Sequence, residues 1–194
     1  MKKTEILKAI EPVIKAFDEL GISYYVGGSI ASSAYGIARA TMDVDFISNM
    51  NFFQIKPLVE KLKTEFFIDE FMISDSIKTS SSFNLIHLET MLKIDVFILK
   101  DISFHKTAFE RKRKDTLILE DESIEIYLSS PEDIILNKLE WFRMGGEISE
   151  RQWLDILGVI KVQGDNLDVK YLSNWAKELS LNDLLVKALK ESEQ

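Results

Sequence analysis

Cysteine is absent from this chain of 194 residues. Its absence excludes a disulfide scaffold, a zinc–thiolate site, an iron–sulfur cluster and a thiol nucleophile. No apolar run approaches the roughly 18–20 residues that span a bilayer, so we expect no membrane partner. Residues 1–12 carry lysines but are amphipathic, and they lack the continuous apolar stretch of a signal peptide. These features predict a cytoplasmic protein.

A surplus of positive charge is also missing. The chain has 24 Lys and Arg residues against 32 Asp and Glu residues, which gives a net charge of −8. This balance argues against a broad surface for duplex DNA but leaves room for a small basic site. The basic cluster 111–114 is the densest group of cations. It is expected to be either a solvated helix end or a contact for an RNA acceptor.

Hydrophobic periodicity changes at about residue 129. Helical and strand patterns alternate over residues 1–129, whereas residues 130–194 are helical throughout. Ser130 and Pro131 are typical of a helix start, as an N-cap and a first helical residue. We therefore predict an α/β domain over 1–129 and a helical domain over 130–194. The stretch 67–82 is ambiguous, and its serines at 80–82 suggest a loop.

The first predicted strand covers residues 22–26, and a glycine turn follows it. Gly27 and Gly28 let the backbone approach a ligand closely, and Ser29 adds a hydroxyl donor. The free amides of the helix that follows favour an anion such as phosphate. The alternative is that the two glycines form only a turn.

Two aspartates alternate along the predicted strand 43–48. Asp43 and Asp45 project from the same face of that strand, so their charges repel each other unless a cation compensates them. Mg²⁺ prefers carboxylate oxygens and keeps coordination positions open for substrate phosphates. The alternative is a solvated edge strand with its acids in water. Val44 and Phe46 face the opposite way and favour a strand within the sheet.

A third aspartate interrupts the apolar strand predicted at 92–99. Burying the Asp95 carboxylate is costly unless it has a partner. A metal ion held by Asp43 and Asp45 would be one such partner. The alternative partner is Lys93, which lies two residues away on the same face.

In combination these residues resemble a known superfamily, the nucleotidyltransferases of the DNA polymerase β type. The similarity is strongest to the minimal prokaryotic branch that includes the AbiE-type abortive-infection toxins. It covers residues 20–100 and extends more weakly into the helical part. The motif consists, in chain order, of Gly27-Gly28-Ser29, Gly36, Arg39-x-Thr41, Asp43-x-Asp45 and Asp95.

The resemblance implies an α+β fold, with a mixed nucleotidyltransferase sheet flanked by helices and followed by a C-terminal helical bundle. It also implies the ligands of the motif residues. The triphosphate would be bound by Gly27, Gly28 and Ser29. Two divalent ions, Mg²⁺ or alternatively Mn²⁺, would be held by Asp43, Asp45 and Asp95, which makes these acids the catalytic residues.

Four further residues match the superfamily outside the acids and the glycine turn. Arg39 and Thr41 correspond to the Arg-x-Thr that precedes the acids. Arg39 would supply charge near the phosphates or pin its loop, unless it is an ordinary surface arginine. Lys138 and Asp155 match two helical motifs, in which the lysine reaches the phosphates and the aspartate orients the lysine or the acceptor. Their alternative is a pair of helix-surface charges.

The predicted function is transfer of a nucleoside monophosphate from a nucleoside triphosphate to an acceptor by in-line displacement between two metal ions. The acceptor would be an RNA or tRNA end, a protein hydroxyl or a small molecule. The resemblance places this activity in a toxin–antitoxin or phage-defence system with a cognate antitoxin. Gln152 stands where the superfamily often has an acid, which keeps a catalytically weak binding or regulatory protein open. The remaining alternative is an unrelated α/β interaction domain.

Overall fold

A computed structural model of the protein describes residues 4–39, 41, 43–119 and 122–193. The chain packs into two compact units, and each unit is discontinuous in sequence. The first unit consists of residues 1–27 and 41–128. The second unit consists of residues 28–40 and 129–194.

The first unit is built on one mixed sheet. Within the described residues its strands are β1 (Tyr24–Val26), β2 (Asp43–Ser48), β3 (Phe66–Phe67), β4 (Ser82–His87), β5 (Lys93–Ile98), β6 (Arg113–Leu119) and β7 (Glu122–Leu128). Their spatial order is β3-β4-β5-β2-β1-β7-β6. The pairs β2–β5 and β1–β7 are parallel, and the other neighbouring pairs are antiparallel. The predicted mixed sheet is confirmed.

Helices account for most of the remaining described residues. They are α1 (Glu5–Glu19), α2 (Gly28–Tyr35), α3 (Ile55–Leu62), α4 (Glu70–Thr79), α5 (Ser103–Glu110), α6 (Pro131–Met144), α7 (Glu150–Gln163), α8 (Val169–Glu178) and α9 (Asn182–Ser192). The first unit contains α1, α3, α4 and α5, and the second contains the other five. The α+β fold class and the C-terminal helices are therefore confirmed.

Alternation along the central strands separates the core of the first unit from its polar face. In β2, β4 and β5 every second residue is buried, because successive side chains of a strand point to opposite faces. Helix α1 buries its apolar stripe in the same unit. The rings of Phe17 of α1, Tyr24 and Phe46 pack against one another, with centroids 5.4–5.8 Å apart in the three pairs. The buried face fixes which residues of β2 and β5 remain on the opposite, polar face.

The second unit depends on close contact between helices. Ser130 caps α6 by accepting a hydrogen bond from the Asp133 amide, and Pro131 is the first helical residue, as predicted. Gly36 follows α2 directly. A Cβ atom at Gly36 would lie 2.8 Å from both the Ser32 carbonyl oxygen and the Val159 amide nitrogen. Only glycine therefore allows the end of α2 to pack this closely against α7.

Two elements differ from the sequence expectations. The ambiguous stretch 67–82 contains helix α4, which Asp69 caps at its N-terminus and which Ser80 ends in a left-handed conformation. Helix α2, which was expected to belong to the α/β part, contacts α6 and α7 of the second unit. The division into domains at residue 129 stays a prediction. Among the helices of the described residues, none is both long and apolar enough to cross a membrane.

Candidate functional site

Three aspartates lie on one face of the two central parallel strands. Asp45 of β2 stands directly opposite Asp95 of β5, and Asp43 stands opposite Lys93. The intervening Val44 is buried on the other face. We call the surface formed by Asp43, Asp45 and Asp95 the acidic face. The edge-strand alternative is wrong, because β2 is paired with β5 on one side and with β1 on the other.

The Asp95 carboxylate has partners on its own strand and on the neighbouring strand. Lys93 Nζ lies 2.8 Å from Asp95 Oδ2. Asn84 of β4, opposite Asp95 in the register, donates its side-chain amide to Asp95 Oδ1. The hydrogen bond to Asp95 raises the pKa of Lys93, and the charges of Asp95, Asp43 and Asp45 add to this shift, while partial burial opposes it. The ion pair with Lys93 that the sequence offered as an alternative is therefore present.

The donor chemistry of the acidic face suits a hard divalent cation. Its three aspartates offer carboxylate oxygens, and the neighbouring Asn84 offers a carboxamide oxygen; Mg²⁺ and Mn²⁺ accept both kinds of ligand. Across residues 4–39, 41, 43–119 and 122–193, however, no three His, Asp or Glu side chains converge closely enough to form a metal site. Asp95 is turned towards Lys93 and Asn84. Metal binding by the three aspartates thus stays a prediction, and it requires these side chains to rearrange.

The glycine turn begins next to the acidic strand. The Gly27 amide donates to the Asp45 carbonyl oxygen at 2.9 Å, which extends the pairing of β1 with β2 by one residue. Gly28 then adopts a φ of +53°, a left-handed conformation that glycine adopts without strain. Gly28 and Ser29 form the first turn of α2, where backbone amides lack partners within the helix. The turn has the predicted form, and its binding of phosphate stays a prediction.

Thr41 fixes the backbone just before the acids. The Asp43 amide donates to Thr41 Oγ1 at 3.4 Å, and the Thr41 hydroxyl donates to the Asp43 carbonyl oxygen at 3.2 Å. These contacts hold the entry to β2 in place. A direct contact of Thr41 with a nucleotide stays a prediction.

The second unit contains an ion network centred on Asp155 of α7. Arg39 donates from Nε to Asp155 Oδ1 and from Nη2 to Asp155 Oδ2, both at 2.7 Å. Lys138 of α6 donates to Oδ2 of the same carboxylate at 2.8 Å. Arg39 Nη2 also donates to Ser29 Oγ at 2.6 Å. We call these four residues the Asp155 network, and they join a loop, α2, α6 and α7.

Burial distinguishes this network from ordinary surface charges. Lys138 is 9% exposed and Asp155 is 8% exposed, so the alternative of helix-surface charges is wrong. Burial alone would raise the Asp155 pKa, but the hydrogen bonds and positive charges of Arg39 and Lys138 lower it overall. The Arg39 pKa is raised, chiefly by its hydrogen bond to Asp155. Asp155 thus holds both Lys138 and Arg39 by ion pairs, and the roles of these residues towards a nucleotide stay a prediction.

Sequence reasoning missed two features of the candidate site. It did not identify Asn84, because the register that places Asn84 opposite Asp95 is not visible in the pattern of β4. It also did not predict that Arg39 and Asp155, 116 residues apart, would pair. The only signal for the pair was the match of both residues to superfamily motifs.

The basic cluster 111–114 is partly engaged within the first unit. Lys112 donates to Ser23 Oγ at 2.7 Å and lies over the Phe109 ring, 3.9 Å from its centroid. Burial lowers the pKa of Lys112. Lys114 pairs across the strands with Glu125 at 2.8 Å. The cluster is therefore not simply a solvated helix end, and its contact with RNA stays a prediction.

Comparison with known proteins identifies the fold. No family model matches the chain, and none of the curated proteins matches it either. Among solved structures, a crystal structure of ANT(2'')-Ia in complex with adenylyl-2''-tobramycin is similar, with a TM-score of 0.57 and 12% identity over 90% of this chain and 98% of that one.

Two further solved structures agree with this fold. The solution structure of the antibiotic-resistance factor ANT(2'')-Ia gives a TM-score of 0.54 and 15% identity over 99% of this chain and 97% of that one. A crystal structure of an antigenic nucleotidyltransferase-like protein from Paracoccidioides brasiliensis gives a TM-score of 0.51 and 19% identity, over 95% of this chain and 92% of that one. The chain therefore has the nucleotidyltransferase fold, which confirms the fold implied by the motif. Membership of the AbiE-type branch stays a prediction.

Proposed function

We propose that this protein is a metal-dependent nucleotidyltransferase. It transfers a nucleoside monophosphate from a nucleoside triphosphate to an acceptor hydroxyl and releases pyrophosphate. The observation that carries the proposal is the register of β2 and β5, which sets Asp45 opposite Asp95 with Asp43 on the same face. Three carboxylates gathered on one face of two neighbouring strands repel each other, so their placement within a nucleotidyltransferase fold favours a functional reason.

The acidic face would hold the metal ions. Asp43, Asp45 and Asp95 supply the oxygen ligands for two divalent ions, Mg²⁺ or Mn²⁺. Bound ions would neutralise the triphosphate and lower the pKa of the acceptor hydroxyl. The three carboxylates would keep the ions beside β2 and β5. Partial burial of Asp45 and Asp95 strengthens their attraction for a cation relative to bulk water.

The glycine turn and the Asp155 network would bind the phosphates. The amides of Gly27 and Gly28 and the hydroxyl of Ser29 act as donors. Because Ser29 Oγ accepts its hydrogen bond from Arg39, the hydroxyl proton can point towards a phosphate oxygen. The two cations of the network outnumber its single carboxylate, so it carries a net positive charge for the triphosphate. Asp155 keeps Lys138 in one orientation for this contact.

The acceptor is proposed as a class, not as one molecule. RNA or tRNA ends, protein hydroxyls and small molecules all carry the required nucleophile. The similar structure of ANT(2'')-Ia contains adenylyl-2''-tobramycin, which supports including tobramycin among the acceptors tested. The resemblance to AbiE-type toxins supports a role in phage defence with a cognate antitoxin, in the cytoplasm.

Transfer of labelled nucleotide tests the proposed function. The purified chain is incubated with Mg²⁺ and each of the four nucleoside triphosphates, labelled on the α-phosphate or on the γ-phosphate. The acceptors are total tRNA, a protein extract and tobramycin, and the Asp45→Asn variant is the matched control. We expect label to reach an acceptor from the α-phosphate and not from the γ-phosphate, because the reaction releases pyrophosphate.

The other outcomes separate the alternatives. Transfer of the γ-label would identify a phosphoryl transferase and contradict the proposal. Saturable nucleotide binding without transfer of either label would favour the catalytically weak regulatory protein. Neither binding nor transfer would favour the unrelated interaction domain.

A further inference from the structure

A lysine lies among the aspartates of the acidic face. Lys93 stands opposite Asp43 in the register of β2 and β5, and it precedes Asp95 by two residues on the same strand face. Its Nζ is 2.8 Å from Asp95 Oδ2, while Asn84 donates to Asp95 Oδ1. Both carboxylate oxygens of Asp95 therefore have a partner from this chain.

We propose that Lys93 competes with a divalent ion for Asp95, so that the ion binds Asp95 only after the lysine ammonium has moved away. The inference rests on the proposed function, because it takes the acidic face as the metal site. An ammonium group and a metal ion approach a carboxylate along the same lone pairs, and their positive charges repel each other. The two cations therefore cannot both sit on Asp95 Oδ2.

The exposure of the two side chains favours displacement of the lysine over permanent exclusion of the metal. The Lys93 side chain is 46% exposed, whereas the Asp95 side chain is 15% exposed. Ion pairs with one exposed partner are weak, and the long lysine side chain reaches water without a change in the backbone. A divalent ion carries twice the charge of the ammonium and gains more from the partly buried carboxylate. Lys93 thus raises the metal concentration that is needed for Asp95 to bind the ion.

The position of Lys93 also explains how three aspartates can lie close together without a metal ion. Lys93 offsets one of its three negative charges when no metal is bound. This compensation reduces the repulsion between Asp45 and Asp95, which lie side by side on neighbouring strands. Lys93 would therefore stabilise the metal-free protein at the expense of metal affinity.

A matched control exists in the same sheet. Lys114 lies on the edge strand β6 and pairs with Glu125 of the neighbouring strand β7. The distance from Lys114 Nζ to Glu125 Oε2 is 2.8 Å, equal to that from Lys93 Nζ to Asp95 Oδ2. Removing the Lys114 charge changes the net charge of the chain by the same amount as removing the Lys93 charge. Any difference between the two variants then reports on the position of Lys93 and not on the total charge.

Titration of the full chain with Mn²⁺, without nucleotide, tests the inference. The electron paramagnetic resonance signal of free Mn²⁺ gives the affinity, and a melting curve of each variant verifies that it is folded. We expect Lys93→Gln to bind Mn²⁺ about tenfold more tightly than the wild type, because a nearby positive charge is removed. Lys93→Arg and Lys114→Gln should stay within about twofold of the wild type. In an Asp95→Asn background, Lys93→Gln should have little further effect, because both changes act on one pair.

Two results would overturn the inference, and they can be told apart. If the wild type binds Mn²⁺ and both Lys93→Gln and Lys93→Met bind it no more tightly, Lys93 does not compete for Asp95, while the proposed function still stands. If neither the wild type nor the Lys93 variants bind Mn²⁺ saturably, the acidic face is not a metal site, and both proposals fail.

Discussion

Asp43 and Asp45 are separated by one buried residue, Val44, so their carboxylates lie on the same face of β2, where they could bind a metal ion together. Substituting either aspartate with asparagine keeps the size of the side chain but removes a charge that a metal would need. We expect Asp43→Asn and Asp45→Asn each to lower the transfer rate by about a hundredfold or more. The melting temperature should stay level or rise slightly, because the repulsion between the acids is relieved.

The measurement is the initial rate of label transfer from the α-phosphate, with the melting curve recorded alongside. Asp115→Asn is a suitable control, because Asp115 is an exposed aspartate of β6 outside the acidic face. Transfer at the wild-type rate by either Asp43→Asn or Asp45→Asn would show that the assignment of the acids is wrong.

At the residue scale, the sequence predicts which side chains share one face of a strand, but it does not predict which residues of distant strands lie opposite each other. Alternation along one strand predicts that Asp43 and Asp45 share a face. That Asp45 stands opposite Asp95 depends on the register of two strands about 50 residues apart, which only the packed sheet determines. The sequence left two partners open for Asp95, a metal ion and Lys93, and the ion pair with Lys93 is present in the structure.

At the scale of helices and loops, Asp155 connects α7 to α6 and to the Arg39 loop. Asp155→Asn leaves two cations without their carboxylate, one of them buried, so we expect the free energy of unfolding to fall by about 3 kcal/mol near neutral pH. The folded-state pKa of Asp155 is lowered from its ordinary value of 3.8. Its stabilising effect is therefore complete above that value and is lost as the pH falls through the folded pKa.

Urea unfolding of the wild type and of Asp155→Asn between pH 7 and pH 3 measures this dependence. The difference in unfolding free energy should be constant at neutral pH and should shrink below the ordinary pKa. A difference that persists unchanged at the lowest pH at which both proteins fold would mean that the charge of Asp155 is not what stabilises the network.

Lys138 provides a second prediction at this scale, because it is the network cation on α6. Lys138→Met keeps the aliphatic length of the side chain and leaves Asp155 paired with Arg39. We expect a loss of about 1–2 kcal/mol in unfolding free energy, since one hydrogen bond to a charged group is removed. Nucleotide affinity should fall by about tenfold or more, which is larger than the change in stability alone explains.

Isothermal titration with a nucleoside triphosphate and Mg²⁺ gives the affinity of Lys138→Met. Lys161→Met serves as the comparison, because Lys161 is an exposed lysine of α7. An unchanged nucleotide affinity in Lys138→Met would leave the lysine with a structural role only.

Helix boundaries were largely predictable because they depend on local signals. Ser130 and Pro131 mark the start of α6 in sequence and in structure. Helix α4 was missed because its weakly amphipathic residues precede a run of serines, and only Ile73 and Ser76 are buried. The burial of those two residues depends on tertiary packing, which overrides weak local propensity.

At the scale of the whole molecule, the chain forms two units that are each interrupted in sequence. The change of periodicity near residue 129 indicates one boundary, at Leu128 and Ser129. The other boundaries, at residues 27–28 and 40–41, leave no trace in composition because the inserted segment is short. Gly36 explains the assignment of this segment, since it lets the end of α2 pack closely against α7. The sequence predicts this segment to be part of the sheet domain because it lies between two strands, and its contacts with α6 and α7 are not visible in the sequence.

The melting temperature of the full chain with nucleotide and metal tests the central claim most directly, because it requires no knowledge of the acceptor. A nucleoside triphosphate with Mg²⁺ should bind the folded chain and not the unfolded chain. At about 100 times the dissociation constant, this stabilises the protein by about 2.7 kcal/mol. The melting temperature should then rise on the order of 5–10 °C for a chain of this length.

Each arm of this measurement has a defined expectation. Nucleotide with excess chelator should have much less effect, because the aspartates would face the phosphates without a compensating cation. Asp95→Asn should reduce the part of the shift that depends on metal. A rise in melting temperature that requires both nucleotide and Mg²⁺ is the result that the account predicts. A melting temperature unchanged by saturating concentrations of all four nucleoside triphosphates with Mg²⁺ would contradict it.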